Sequence, residues 1–259
     1  MHSVNKTLYI PLYGKAYVSG RGLFLRDDMA EQIWSSAGFP LKGKSASKWL
    51  AFYMGIRAAV FDEWVSKHLA AVPGAAVVHI GCGLDSRVLR VGTGGHKWYD
   101  VDFPQVIDER KRYFLESDDY RMVSADVRDA HWLGRIPETG TAIVVMEGVS
   151  MYLTPAELQA LMKNLSGHFS RVLCLMDCYT ELAAKLSRYQ NPINDVGVTQ
   201  VYGLDDPASL EGVNFVHEQE MTPMKYIGEL SGSERFIFGK MYAGSLSKKL
   251  YRLYEFRKD

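Results

Sequence analysis

Between positions 75 and 180 the chain alternates short apolar runs with stretches of helical spacing. The runs at 76–80, 97–102, 120–124, 141–146 and 171–177 have strand length, β-branched character and turn signals at their ends, which predicts buried strands. The intervening segments predict helices over 104–115, near 129–133 and over 155–166. The last begins at Thr154-Pro155-Ala156-Glu157: a threonine cap, proline at the first helical position and glutamate at the third. Strand and helix in this order predict an α/β fold, a mostly parallel sheet with helices on both faces.

The flanks read differently. In residues 1–73, Asp27-Asp28 caps a helix over 29–36 that stops at Gly38 and Pro40. From 47 to 72, Trp49, Phe52, Tyr53, Ile56, Ala59, Val60 and Trp64 recur at helical spacing, up to Pro73-Gly74. Pro11 within Thr7-Leu8-Tyr9-Ile10-Pro11-Leu12-Tyr13 argues against a regular helix there. Arg57 stands among apolar positions, and its ordinary account is an arginine at the core edge reaching for water. Beyond 177, turns are expected at Asn191-Pro192 and Asp206-Pro207, helices over 180–189 and 233–243, and strands over 213–219 and 250–256. The chain thus divides into a helical cap (1–73), a central core (74–177) and a remainder (178–259) whose final strand is expected to run antiparallel.

A length of 259 residues suits one large domain, or one domain with an attached cap. Lys plus Arg equals Asp plus Glu, 30 each, so no global basic field favours nucleic acid. No apolar stretch reaches membrane length, and Met1-His2-Ser3-Val4-Asn5-Lys6 lacks the layout of a signal peptide. Cys82, Cys174 and Cys178 have no metal-ligand spacing and suggest reduced thiols in cytoplasm, with no metal site.

The chemistry concentrates at strand ends. Val77-Val78-His79-Ile80 runs into Gly81-Cys82-Gly83-Leu84-Asp85-Ser86-Arg87, a strand feeding a tight glycine turn. A dinucleotide fingerprint would place glycine at position 86, to pack a helix beneath a pyrophosphate, and Ser86 stands there. The pattern suits a nucleoside without phosphates, S-adenosylmethionine, and so a methyltransferase over a nicotinamide dehydrogenase. Acids close the next strands: Asp100 and Asp102, then Asp126 in Ser124-Ala125-Asp126-Val127-Arg128-Asp129, then Glu147 in Glu147-Gly148-Val149-Ser150-Met151-Tyr152. Their common place along one sheet edge is not what scattered surface acids produce. Gly92-Thr93-Gly94-Gly95 lacks the lysine of a phosphate loop and reads as a turn.

Arg57, the glycine turn, Tyr-Asp-Val-Asp-Phe-Pro, Ala-Asp-Val-Arg-Asp and Glu-Gly-Val-Ser-Met-Tyr-Leu-Thr-Pro occur in an order that resembles the leucine carboxyl methyltransferase family, in particular its bacterial polyketide O-methyltransferase branch. The resemblance implies a class I methyltransferase with a Rossmann-like sheet, a helical N-terminal cap and S-adenosylmethionine as cofactor. It assigns Arg57 to the methionine carboxylate, Gly81 to close approach of the tail, and Asp102 to the ribose, with Asp100 as the alternative. Asp126 and the Val127 N–H are assigned to adenine, and Glu147 to the amino group. An N-terminal lysine holds the tail in some members, and Lys6 and Lys15 are both candidates. The acceptor is expected to be a carboxylate, or a hydroxyl, on a small molecule such as a polyketide, or a peptide C-terminus. Tyr152, Tyr179 and Arg235 are its candidate contacts. His131, His168 and His217 lie in no motif that demands a base, so no catalytic residue is assigned. A non-catalytic cofactor-binding protein would retain the same residues, and a dehydrogenase remains the distant third reading.

Overall fold

The computed structural model describes residues 7–38, 41, 43–138, 140–187, 200–244, 247 and 249–259. Lys6, the leader reading of the first six residues, the end of the 180–189 helix and the Asn191-Pro192 turn lie outside the described residues. Seven strands form one sheet: β1 (Ala76–Ile80), β2 (Trp98–Asp102), β3 (Tyr120–Ser124), β4 (Thr141–Met146), β5 (Arg171–Tyr179), β6 (Asn214–Gln219) and β7 (Tyr251–Lys258). Their spatial order is β3-β2-β1-β4-β5-β7-β6. The first five run parallel, and β7 enters antiparallel between β5 and β6.

Helices cover both faces. On one, α6 (Pro155–His168) seats Leu158, Leu161 and Leu165 with Val78, Val144 and Cys174 in one apolar cluster. The expected capping box is present: the Thr154 hydroxyl accepts from the Glu157 N–H, and the Glu157 carboxylate accepts from the Thr154 N–H. On the other face lie α1 (Tyr9–Ser19), α2 (Asp28–Ala37) and α3 (Lys48–Ala71), whose apolar side chains share one cluster with Val77, Ile143 and Leu173. Residues 51–61 of α3 are buried at every position, as in a helix packed on all sides.

Two expectations in this region change. Pro11 does not prevent α1, because it is the third residue of the helix, where the missing N–H has no intrahelical acceptor to lose. Arg57 does not reach water. It is 4% exposed, in the middle of α3. Helices α1 and α3 cross closely through two glycines: a Cβ on Gly14 would stand 2.6 Å from Met54 Cβ, and one on Gly55 2.6 Å from Val18 Cγ2. The remaining helices are α4 (Arg87–Val91), α5 (Pro104–Arg110), α7 (Glu181–Ser187), α8 (Met224–Ile227) and α9 (Gly232–Met241). The segment expected as a helix near 129–133 is a 3-10 turn, Ala130–Arg135.

Candidate active site

The strand order reverses between β1 and β4, and ligands of doubly wound sheets sit beyond the carboxyl ends of the strands at such a switch. A cavity of about 1160 Å³ lies there, and its wall includes Arg57, Gly81, Asp102, Asp126, Val127 and Glu147, every cofactor residue expected from the sequence. Tyr152 and Tyr179 line it too.

Gly81 turns with φ 67°, and a Cβ there would stand 2.2 Å from Val149 Cγ2, so glycine is required twice over. Asp102 accepts from the Gly83 N–H at 2.8 Å and from the Phe103 N–H at 2.7 Å, which fixes the carboxylate against the glycine turn. Burial pushes its pKa up, against the pull of those two N–H donors. Asp100, two residues earlier, is fully buried and is absent from the cavity wall. It accepts from Trp98 Nε1 at 2.9 Å, the Tyr120 hydroxyl at 2.7 Å and Arg110 Nη2 at 2.5 Å. Asp126 is half-exposed and accepts from Arg128 Nε at 2.8 Å.

At the other side of the switch the charges are dense. Arg57 Nε donates to Glu147 Oε1 at 3.0 Å; its Nη1 donates to Asp177 Oδ2 at 2.9 Å and to the Tyr251 hydroxyl at 2.8 Å. Tyr251 in turn donates to Asp177, whose other oxygen accepts from the Gly148 N–H at 2.7 Å. Burial opposes the ionisation of Glu147, yet Arg57 and Arg87 outweigh it and hold the carboxyl well below its ordinary range. Asp177 behaves oppositely: burial raises it more than Arg57 and Tyr251 lower it. Lys15, itself buried in the wall, pairs with Asp85 at 3.0 Å.

Asp177, Tyr251 and the partnership of Asp85 with Lys15 escaped the sequence reading, which named Lys15 only as one of two candidates for the tail. Asp177 carried a signal, being the one acid within the apolar run of β5. Tyr251 carried none, since it joins the site only because β7 pairs with β5, placing Tyr251 opposite Tyr179 and on the face of Asp177. Arg235 is a correction. Its side chain is exposed and donates to the Gly228 and Leu230 carbonyls, satisfying the end of α8 rather than facing the cavity. His131, His168 and His217 are also away from the wall: His131 faces Asp129, His168 the Ile136 carbonyl, and His217 lies exposed on β6.

The donor set fits S-adenosylmethionine. Lys15, Arg57, Arg87 and Arg90 are joined by ion pairs to Asp27, Asp62, Asp85, Glu147 and Asp177. Of these, Lys15, Arg57, Asp85 and Glu147 line the cavity, cations for the ligand's carboxylate beside acids for its ammonium. The Asp102 carboxylate, fixed by its two backbone N–H donors, faces the same space with further acceptor capacity for a diol.

Comparison with known proteins agrees. The family model for leucine carboxyl methyltransferase matches residues 13–166. The chain is 32% identical over 186 residues to the tetracenomycin polyketide synthesis O-methyltransferase TcmP of Streptomyces glaucescens, covering 70% of this chain and 69% of that one. It is 28% identical over 183 residues to the S-adenosyl-L-methionine-dependent methyltransferase dpfgK of Gibberella zeae, covering 65% and 61%. Among solved structures, magnesium protoporphyrin IX methyltransferase from Synechocystis PCC 6803, with bound SAH, superposes with a TM-score of 0.51 at 12% identity, over 90% of this chain and 94% of that one, a likeness of fold. With the cavity at the switch point, these matches mean that the chain belongs to the leucine carboxyl methyltransferase family and is an S-adenosylmethionine-dependent O-methyltransferase.

Proposed function

We propose that the enzyme methylates a carboxylate on a small aromatic molecule of the polyketide-acid type. The carrying observation is the size and composition of the cavity at the switch point. At about 1160 Å³ it exceeds the usual range for a single ligand, roughly 300–1,000 Å³, which leaves room for an acceptor beside the cofactor. Tyr53, Tyr179 and Tyr251 contact one another ring to ring in the wall, Tyr251 stacking on Tyr53 at 6.1 Å and meeting Tyr179 edge-on at 5.0 Å. Such rings hold a planar acceptor by face and edge contacts. The likeness to an O-methyltransferase of polyketide synthesis supports the same class.

In this reading Arg57 and Lys15 hold the methionine carboxylate, Glu147 the amino group, Asp102 the ribose, and Asp126 with the Val127 N–H the adenine. Gly81 keeps the wall thin beside the tail. The bound cofactor supplies an electrophilic methyl group on a sulfonium. The chain's own residues align the acceptor oxygen behind it and exclude water, and orientation alone can contribute roughly 7–11 kcal/mol. A carboxylate arrives ionised at neutral pH and needs no base. The histidine in the wall, His79, is already engaged, its Nε2 3.2 Å from Arg87 Nη1. Tyr152 and Tyr251 are neutral phenols, their pKa values raised first by burial.

The test is transfer of a labelled methyl group from S-adenosylmethionine to a panel of aromatic acids and phenols. A product that mild alkali hydrolyses to methanol is expected. An alkali-stable product would be an ether and would move the acceptor to a hydroxyl. Labelling of a peptide C-terminus in preference to every aromatic acid would move it to protein.

A further inference from the structure

We propose that Arg90 is a positioning residue: it latches the three helices that precede the sheet onto the turn that carries the cofactor site. Each helix delivers one charged group to the segment 85–90. Lys15 of α1 pairs with Asp85. Asp27, the N-cap of α2, accepts from the Ala30 N–H at 2.8 Å, from the Ser86 hydroxyl, and from Arg90 Nη1 at 2.5 Å. Asp62 of α3 accepts from Arg87 Nε at 2.7 Å and from Arg90 through Nε at 2.6 Å and Nη2 at 3.0 Å.

Arg90 binds Asp27 and Asp62 directly and meets Lys15 through their shared partner, Asp85. Its Nη1 also donates to Asp85 Oδ1 at 2.8 Å and Ser86 Oγ at 3.0 Å. Its side chain is 6% exposed and contributes nothing to the cavity wall, so it acts on the cofactor only through Asp85, Lys15 and the seating of the helices. The serine at position 86 belongs to this device. A glycine there would leave one oxygen of a buried Asp27 carboxylate without its hydroxyl donor. The guanidinium is suited to the task because its planar fork serves several carboxylates at fixed angles, which an ammonium does not.

Consider Arg90→Met. Asp27 and Asp62 lose their shared cation, and the first turn of α2 is left with the Ser86 hydroxyl as its tie to the segment 85–90. Asp85 is left to Lys15 and Arg87. We expect S-adenosylmethionine and its demethylated product to bind ~10-fold more weakly by calorimetry, in the range of couplings carried by a linking element. Arg90→Lys should recover part of that loss, as a structural filler such as Met cannot. Amide exchange should locate the effect: in the wild type the demethylated product slows exchange over residues 9–37, and Arg90→Met loses that protection while α6 exchanges as before. Wild-type affinity in a folded Arg90→Met variant, or equal loosening of α6, overturns the proposal. Should Arg90→Met not fold, Asp27→Asn keeps Oδ1 for the cap to Ala30 and turns the acceptor facing Arg90 into an amide donor, and wild-type binding by that variant overturns the proposal equally. Asp102→Ala serves as the parallel arm. If it too leaves binding unchanged, the cofactor site itself is misplaced; if it alone weakens binding, only the latch is wrong.

Discussion

Two aspartates separated by one residue do different work, and their partners say which. Asp102 turns its carboxylate to two backbone N–H groups at the cavity edge, whereas Asp100 is enclosed with Arg110, Trp98 and Tyr120. Asp102→Ala is therefore expected to weaken both S-adenosylmethionine and its demethylated product, which share the ribose, with little change in unfolding temperature. Asp100→Ala strands Arg110 in the interior and should cost about 3–5 kcal/mol of stability instead. Paired calorimetry and thermal unfolding of the two variants decide it, and the reverse pattern would assign the ribose to Asp100. Arg57 resembles Asp100 more than its motif suggests. Because it neutralises both Glu147 and Asp177, Arg57→Ala cannot remove ligand affinity while leaving the fold untouched, and the clean separation expected of a lone carboxylate fork is not available.

At the scale of elements, the α1–α3 crossing sets where Lys15 stands. Gly55→Ala would force a methyl group against Val18, a side chain with no exposure of its own, and should cost about 1–3 kcal/mol while also weakening cofactor binding. Thr154→Ala, which removes only the cap of α6, should cost about 0.5–2 kcal/mol and leave binding alone. Equal binding losses in the two would show that affinity merely follows stability. The central strands were legible because a parallel strand buried on both faces is largely apolar; 76–80 and 141–146 coincide with β1 and β4, and 120–124 with β3, whose Arg121 is exposed. Acids at their ends were legible for the same reason, standing out against apolar runs. Helix α1 was not, because a proline excludes helix interiors but not first turns, and no local pattern marks where a first turn falls. Tyr251 was not, because strand order is a property of the sheet and no stretch of sequence carries it.

For the whole molecule, one buried ionic network joins the helices to the sheet, so acid should act on both together. Glu147 has its pKa lowered from an ordinary 4.5 to about 2 by Arg57 and Arg87 in spite of burial. A depressed carboxylate contributes its stability fully above the unfolded value and loses it as pH falls through the folded one. The stability difference between wild type and Glu147→Gln should therefore be constant above pH 4.5 and shrink between 4.5 and about 2. Asp177 and Asp102, both raised by burial, carry the opposite sign: their ionised forms burden the fold above their folded pKa values, and acid relieves that burden. Urea unfolding of both proteins across this range measures the difference, and one that stays flat down to pH 2 would mean that the arginines do not hold Glu147 in its charged form.

The place of β7 has a consequence for synthesis on the ribosome. β5 emerges long before the strand that completes it, and among the described residues β6 has no sheet neighbour except β7. Until residues 251–258 clear the exit tunnel, β5 presents an open edge, and the floor of the site lacks the tyrosine that binds Arg57 and Asp177. A nascent chain in that state offers an unpaired strand to chaperones or to its neighbours on the polysome.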